Sequence, residues 1–301
     1  MALMKKPQHK PHAKQPHAPR DHQPSRPSHP PARETHWAEV ADWYDKLVGD
    51  DGSEYHQHVV IPGVFRMLDV PNKKLHVLDL ACGQGVLSRK LAEAGSTVLG
   101  IDAAAPLIEA ARRRNQSEGL PITYLVADAT KLVDDRNNLF PPLKPDSHDA
   151  ITLILAIQNM TPLSPVWQAC KAILKPGGSL IVVMMHPCFR IPKQSDWLWE
   201  DRGSGGVGEQ VRTIKQYLTS SKVDIQTHPG LAAHGKSETT TPHFHRPLQA
   251  YINTLGNAGL LIDHIEEWIS HKTSQPGPKK AALDRARKEI PMFLALRARK
   301  V

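Results

Sequence analysis

The stretch Val77–Gly85, VLDLACGQG, brings an acid and two glycines to the end of an apolar run. Gly83 and Gly85 lack Cβ atoms, so a chain turning there can touch a ligand with its backbone. A helix beginning near Gly85 presents free N–H groups and a positive dipole end, which suit a carboxylate or a phosphate. Two ligand classes meet that description: the nicotinamide dinucleotides and S-adenosylmethionine. A dinucleotide turn wants a third glycine three residues after Gly85, and Ser88 stands there. Asp79 lies inside the turn, where it would accept a ligand ammonium and repel a pyrophosphate. Two more acids close apolar runs further on. Asp102 is placed to accept from both hydroxyls of a ribose, and Asp128 from an exocyclic adenine amine. Ammonium, carboxylate, ribose and adenine together describe S-adenosylmethionine.

Such residues need a parallel sheet to carry them. Order is expected to begin at Thr35, with a helix in which Trp37, Val40, Ala41, Tyr44, Leu47 and Val48 form one face and Gly49 is the stop. A second amphipathic segment, SEYHQHVVIPGVFRML, follows and is expected to break at Pro62–Gly63. From Leu75 strands and helices alternate: strand 75–80, helix 85–93, strand 97–101, helix 106–115, strand 122–126, strand 149–155, helix 166–174 stopped by KPGG, and strand 179–185. The strands are apolar on both faces, which calls for an α/β fold with helices covering a parallel sheet on two sides. Residues 190–245 are polar and rich in Gly, Ser, Thr and His, and are too long for a connecting loop. They read as an inserted cap with a hairpin around Val211–Gln226. Alternation resumes with helix 247–258, strand 260–266, a basic helix near 279–288 and strand 292–298, the last two strands forming an edge pair. The expected organisation is a tail over 1–34, a helical lid over 35–74, core over 75–189, cap over 190–246 and the rest of the core over 247–301.

The motifs resemble those of the class I S-adenosylmethionine-dependent methyltransferases, among them the ubiquinone and menaquinone type. VLDLACGQG is similar to the family's first motif, GIDAA to its second-strand acid motif and LVADAT to its adenine-contacting motif. HDAITLILAIQNM resembles the fourth-strand motif, LKPGGSLIVVMMHP the helix-turn-strand after it, and IPMFLALRARK the last strand. The resemblance implies a Rossmann-like, doubly wound, seven-stranded sheet whose last strand lies antiparallel between its neighbours. It implies cofactor contacts for Asp79, Gly83, Gly85, Asp102, Asp128 and Ala129, with Ala81, Cys82 and Ala103 in the same motifs. Ala81 departs from the commonest pattern, which has Gly there. The helix holding ADWYDKLVG resembles a lid helix, from which Tyr44 would reach the cofactor's amino-acid end.

Methyl transfer from a sulfonium is an in-line displacement, so positioning supplies much of the catalysis, and a base helps where the acceptor is a hydroxyl or an ammonium. Gln158 and Asn159, after the fourth strand, are candidates to orient an acceptor by hydrogen bonds. His186, after the fifth, is the candidate base. Arg190 nearby reads first as a surface residue, with pairing to an acidic substrate as the alternative, and Tyr55, His56 and His58 are expected to face the same pocket from the lid. The cap contributes His228, His234, His243 and His245, read as closing over the substrate without a metal. Cys82 is expected to pack rather than react.

The expected acceptor is a small molecule. The competing reading is a nucleic-acid methyltransferase, raised by a net charge of +8 over 301 residues. Seven of the Lys and Arg residues, against two acids, fall in residues 1–34. That tail is Pro- and His-rich and has little to bury, so disorder is expected there, and the remainder is close to balanced. AIQNM also stands where amino-methylating nucleic-acid enzymes carry an [N/D]-P-P-[Y/F] motif. Three cysteines without disulfide or zinc spacing, no apolar run long enough to span a membrane and no secretory signal point to the cytoplasm.

Overall fold

The computed structural model describes residues 36–201, 203, 208–226 and 240–301. The expectation for the tail, and those for His228 and His234, lie outside the described residues.

Seven strands make one sheet. In chain order they are β1 (His76–Leu80), β2 (Thr97–Asp102), β3 (Ile122–Val126), β4 (His148–Ile154), β5 (Leu174–Met185), β10 (Leu260–Trp268) and β11 (Phe293–Lys300). Their spatial order is β10-β11-β5-β4-β1-β2-β3. The five from β3 to β5 are parallel, and β11 runs antiparallel to both β5 and β10. β11 is thus inserted between its neighbours, and β10 takes the edge. Strand order reverses between β1 and β4, which opens a ligand crevice above their carboxyl ends.

The helices are α1 (His36–Glu39), α2 (Ala41–Val48), α3 (Ile61–Leu68), α4 (Val86–Glu93), α5 (Ala105–Glu118), α6 (Ser164–Ile173), α7 (Leu248–Asn257) and α8 (Lys280–Glu289). They cover both faces of the sheet. On one, Trp167 of α6 and Tyr251 of α7 are fully buried against β4, β5 and β11, and Trp167 Nε1 donates to Thr254 Oγ1 at 3.0 Å. On the other, Val64 and Met67 of α3 and Leu87 and Leu91 of α4 pack against Val77, Val98 and Ile181. Val77, Leu78 and Leu80 have no exposed surface, so β1 is buried from both sides. Each such side chain contributes roughly 1.5–3 kcal/mol on burial.

Three local expectations need correction. The chain does not break at Pro62–Gly63. A π-turn over His56–Val60 runs straight into α3, with Pro62 in its first turn, where no N–H is required. Gly63 is there because Trp268 packs on it; a Cβ would come within 2.3 Å of that ring. β5 begins at Leu174 rather than Ser179, because Leu174 already pairs with His148. The cap is not a hairpin around Val211–Gln226. It is two separate ribbons, β6 (Ser195–Glu200) with β7 (Glu209–Ile214), and β8 (Ser221–Gln226) with β9 (Thr240–His245). Val211 pairs with Leu198 and Gln226 with Thr240. Between β7 and β8, Tyr217 holds the link down: its hydroxyl accepts the Leu248 N–H at 3.0 Å and its carbonyl accepts His245 Nε2 at 2.7 Å. Among the described residues no helix is long and apolar enough to cross a membrane.

Candidate active site

A cavity of about 460 Å³ lies above the carboxyl ends of β1, β2 and β4. Its floor is Ala81, Gly83, Asp102, Ala103, Asp128 and Ala129. The turn after β1 has Ala81 at φ 59°, Gly83 at 55° and Gly85 at 81°. Left-handed backbone is free for glycine and strained for alanine. Gly85 has a second constraint, since a Cβ there would sit 2.3 Å from the Tyr124 hydroxyl.

Backbone N–H groups set the acids. Asp102 Oδ2 accepts from Gly83 N at 2.9 Å and Oδ1 from Ala104 N at 2.8 Å. Each oxygen keeps a lone pair, so the carboxylate suits a vicinal diol. Burial raises its pKa. Asp128 Oδ1 accepts from Thr130 N at 2.9 Å and Thr130 Oγ1 at 2.7 Å, while Lys131 Nζ lies 2.8 Å from Oδ2. Burial would raise this carboxyl, but the Lys131 and Thr130 hydrogen bonds outweigh it and hold it below the usual range.

Asp79 is placed differently. It is 2% exposed, lies beneath the turn and is not among the cavity-lining residues. Its oxygens accept from Ser88 Oγ at 2.6 Å and Thr152 Oγ1 at 2.8 Å, tying α4 and β4 to the end of β1. Burial pushes its carboxyl up to about 6, partly offset by those two hydroxyls. Ser88, in the place of a third glycine, thus serves the acid. Cys82 packs with Ile108, Ala111 and Tyr124, away from the cavity, and burial raises its thiol well above the usual value.

Lid and cap make the opposite wall. Tyr44 of α2 faces Gly83 and packs edge-on to Trp37, which also lines the cavity. Burial, then the Asp102 and Asp79 carboxylates, push its phenol up to about 12. The lid is tied down by Arg114 to Asp45 at 2.9 Å and to Asp50 at 2.8 Å, and by Gln84 Nε2 to the Gly49 carbonyl at 2.9 Å. His56 reaches the cavity from the π-turn, its Nδ1 2.8 Å from Ser53 Oγ. Burial lowers its pKa, so the ring is neutral at pH 7. Pro242 and Phe244 enter from β9, and Asn159 Nδ2 donates to the Pro242 carbonyl at 2.7 Å.

The three candidates for the reaction are therefore separated. Asn159 lines the cavity. Gln158 is 4% exposed and its amide is spent on the Met185 backbone, donating to O at 3.0 Å and accepting from N at 2.9 Å. His186 is 2% exposed and outside the cavity wall. Its Nδ1 accepts from Cys188 N at 3.2 Å, so Nε2–H donates to Glu267 Oε1 at 2.7 Å. Both ring nitrogens are committed, and burial lowers its pKa despite Glu267. His245 is held by Tyr217, and no cluster of three or more His, Cys, Asp or Glu suited to a metal occurs among the described residues.

Phe244 and Met160 also line the cavity, although the motifs do not point to them. Phe244 stands between the two histidines of HFH, and period-2 alternation along β9 turns Pro242 and Phe244 to one side.

The family model for the methyltransferase domain matches residues 77–178. The chain is 35% identical over 104 residues to the ubiquinone biosynthesis O-methyltransferase of Actinobacillus pleuropneumoniae serotype 5b, covering 35% of this chain and 43% of that protein. It is 27% identical over 151 residues to the enzyme of the same name from Coxiella burnetii, covering 50% and 59%. The chain spans about half the length of the curated relatives it matches. Among solved structures, the S-adenosylmethionine dependent methyltransferase of Mesorhizobium loti superposes with a TM-score of 0.58 at 26% identity, over 79% of this chain and 96% of that one.

Proposed function

We propose that this chain, whose residues 77–178 match a methyltransferase domain, transfers a methyl group from S-adenosylmethionine to a hydroxyl of a small acceptor, with His56 as the base. One observation carries the reading. A single cavity joins the Gly83–Asp102–Asp128 floor to a neutral histidine on the lid. The floor fits S-adenosylmethionine: Gly83 leaves the backbone open beneath Tyr44, and Asp102 keeps two lone pairs for a diol. When bound, the cofactor supplies an electrophilic methyl on a sulfonium.

The chain's own groups do the rest. Asp102 holds the ribose, and Asp128 with Ala129 holds the adenine end. Leu107, Ile154, Leu155, Met160 and Phe244 exclude water from the reacting region. Asn159, fixed by Pro242, keeps the cap's β9 ribbon seated on the wall beside the acceptor. With its Nδ1–H donating to Ser53, His56 presents Nε2 to take the acceptor proton. The relatives, O-methyltransferases of ubiquinone biosynthesis, support an oxygen acceptor. A nucleic acid is not favoured, for among the described residues no Lys or Arg lines the cavity to meet a phosphate backbone.

The test is calorimetric titration with S-adenosylmethionine, followed by transfer of labelled methyl to a panel of phenols, alcohols and amines, with RNA as a competing arm. Binding of the cofactor and labelling of phenols are expected. Labelling of RNA alone would replace the small-molecule reading, and absence of cofactor binding would remove the assignment. Because the His56 pKa is depressed, the neutral base is present above it. Activity should fall as pH drops through a value below 6.5.

A further inference from the structure

Arg190 and Arg212 share one ring. Each guanidinium carbon lies 5.2 Å from the centre of the Trp197 ring, at the root of the β6–β7 ribbon. Two cations this close repel each other and ask for an anion between or beside them. Among the described residues neither arginine has a carboxylate within ion-pair distance. Arg212 has Asp196 as a more distant counter-charge, whereas no carboxylate acts on Arg190. Arg212 is occupied, donating Nε to the Phe189 carbonyl at 2.8 Å and Nη2 to Ser195 Oγ at 2.7 Å. Arg190 is not. It is half-buried, and its Nε is buried with no hydrogen-bond partner. Burial first, then Arg212, bring its pKa down to about 10. A buried donor without an acceptor is costly, and a ligand acceptor on the guanidinium offsets that cost.

The position is as telling as the charge. Arg190 follows the carboxyl end of β5, and its N–H donates to the His186 carbonyl at 2.8 Å. Tyr55, the residue before the cavity-lining His56, packs edge-on against Phe293, which pairs with Met185 at the end of β5. The lid turn and Arg190 therefore lie at the same strand end. Among the described residues no Lys or Arg lines the cavity wall. An acceptor whose hydroxyl meets His56 would extend past the lid turn toward Arg190.

We propose that Arg190, seconded by Arg212 across Trp197, anchors a carboxylate on the methyl acceptor, which makes the acceptor a hydroxylated carboxylic acid. A planar carboxylate can take two parallel N–H bonds from the free guanidinium, and the Trp197 face limits it to flat groups. The proposal rests on the methyltransferase reading for the word acceptor, but the anchor itself can be judged alone.

The experiment is titration of the full chain with benzoate and with benzyl alcohol, with and without S-adenosylhomocysteine, in wild type, Arg190→Gln and Arg190→Lys. Benzoate is expected to bind the wild type more tightly than benzyl alcohol. Arg190→Gln should weaken benzoate at least 10-fold and leave benzyl alcohol unchanged, and Arg190→Lys should recover part of the loss. Unaltered S-adenosylhomocysteine affinity in both variants shows that they are folded. Equal benzoate affinity in wild type and Arg190→Gln overturns the proposal, as does a wild type that takes up no benzoate at millimolar concentration. A chain that binds benzoate through Arg190 but never binds S-adenosylhomocysteine would keep the anchor and remove the methyltransferase reading.

Discussion

The two walls of the cavity are built on different principles. On the floor, each acid is set by backbone N–H groups a few residues away or on the adjacent strand: Gly83 and Ala104 for Asp102, Thr130 for Asp128. On the roof, position depends on side chains reaching across the fold: Arg114 to Asp45, Gln84 to Gly49, Asn159 to Pro242. The floor is preorganised by the sheet, whereas the roof is assembled from separate segments. A fixed floor suits a ligand common to many reactions, and an assembled roof suits an acceptor particular to this one.

The largest effect should come from the roof. Replacing His56 with Gln removes the proposed base, and kcat should fall roughly 10²–10⁴-fold while calorimetric cofactor affinity holds. A matched loss of cofactor affinity would mean that His56 serves the floor instead. Next is Asp102→Ala on the floor. It loses two charge-assisted hydrogen bonds to a diol, so S-adenosylmethionine affinity should drop on the order of 100-fold by calorimetry. An unchanged affinity would break the division between the walls.

The third prediction concerns pH. Asp79 is raised in the folded chain to about 6 against an ordinary 3.8. Between those values the folded chain holds a proton that the unfolded chain has lost. Stability should therefore decline as pH rises from about 4 to about 6, by roughly 3 kcal/mol, and then level off. Asp79→Asn should flatten that decline in denaturant titrations at several pH values. A slope that persists in the variant would assign the titration to another group. The smallest effect belongs to Ala81→Gly. Removing Cβ from a left-handed residue should stabilise by about 0.5–1 kcal/mol, read as a higher denaturation midpoint. A lower midpoint would show that the Ala81 methyl contributes more by packing than it costs by strain.

The same contrast explains what could be read from the chain. Asp102 and Asp128 were legible because burial on both faces marks a strand, its end marks the crevice, and their donors are backbone N–H groups of the turns at that same sheet edge. Gln158 and His186 were not. Each stands at a strand end like the others, yet the partner that occupies it lies 27 residues away for Gln158 and 81 for His186. Nothing in the local pattern announces Met185 or Glu267. The cap failed for a related reason. β7 and β8 each have the alternation of a hairpin arm, and only the tether at Tyr217 shows that they belong to different ribbons.

The insertion of β11 beside β5 has a consequence for how the chain is made. From Leu180 to Met184 β5 is apolar and buried, and its outer edge pairs with β11. Met185 leaves the ribosome more than a hundred residues before Phe293. At about 5–20 residues per second, that edge stays open for roughly 5–20 s. During that interval the floor of the cavity can already be complete while the strand beside it still offers unpaired N–H and C=O groups to any passing strand. The nascent chain is therefore most in need of protection after its binding floor has formed, and a chaperone or an early ligand would act in that window.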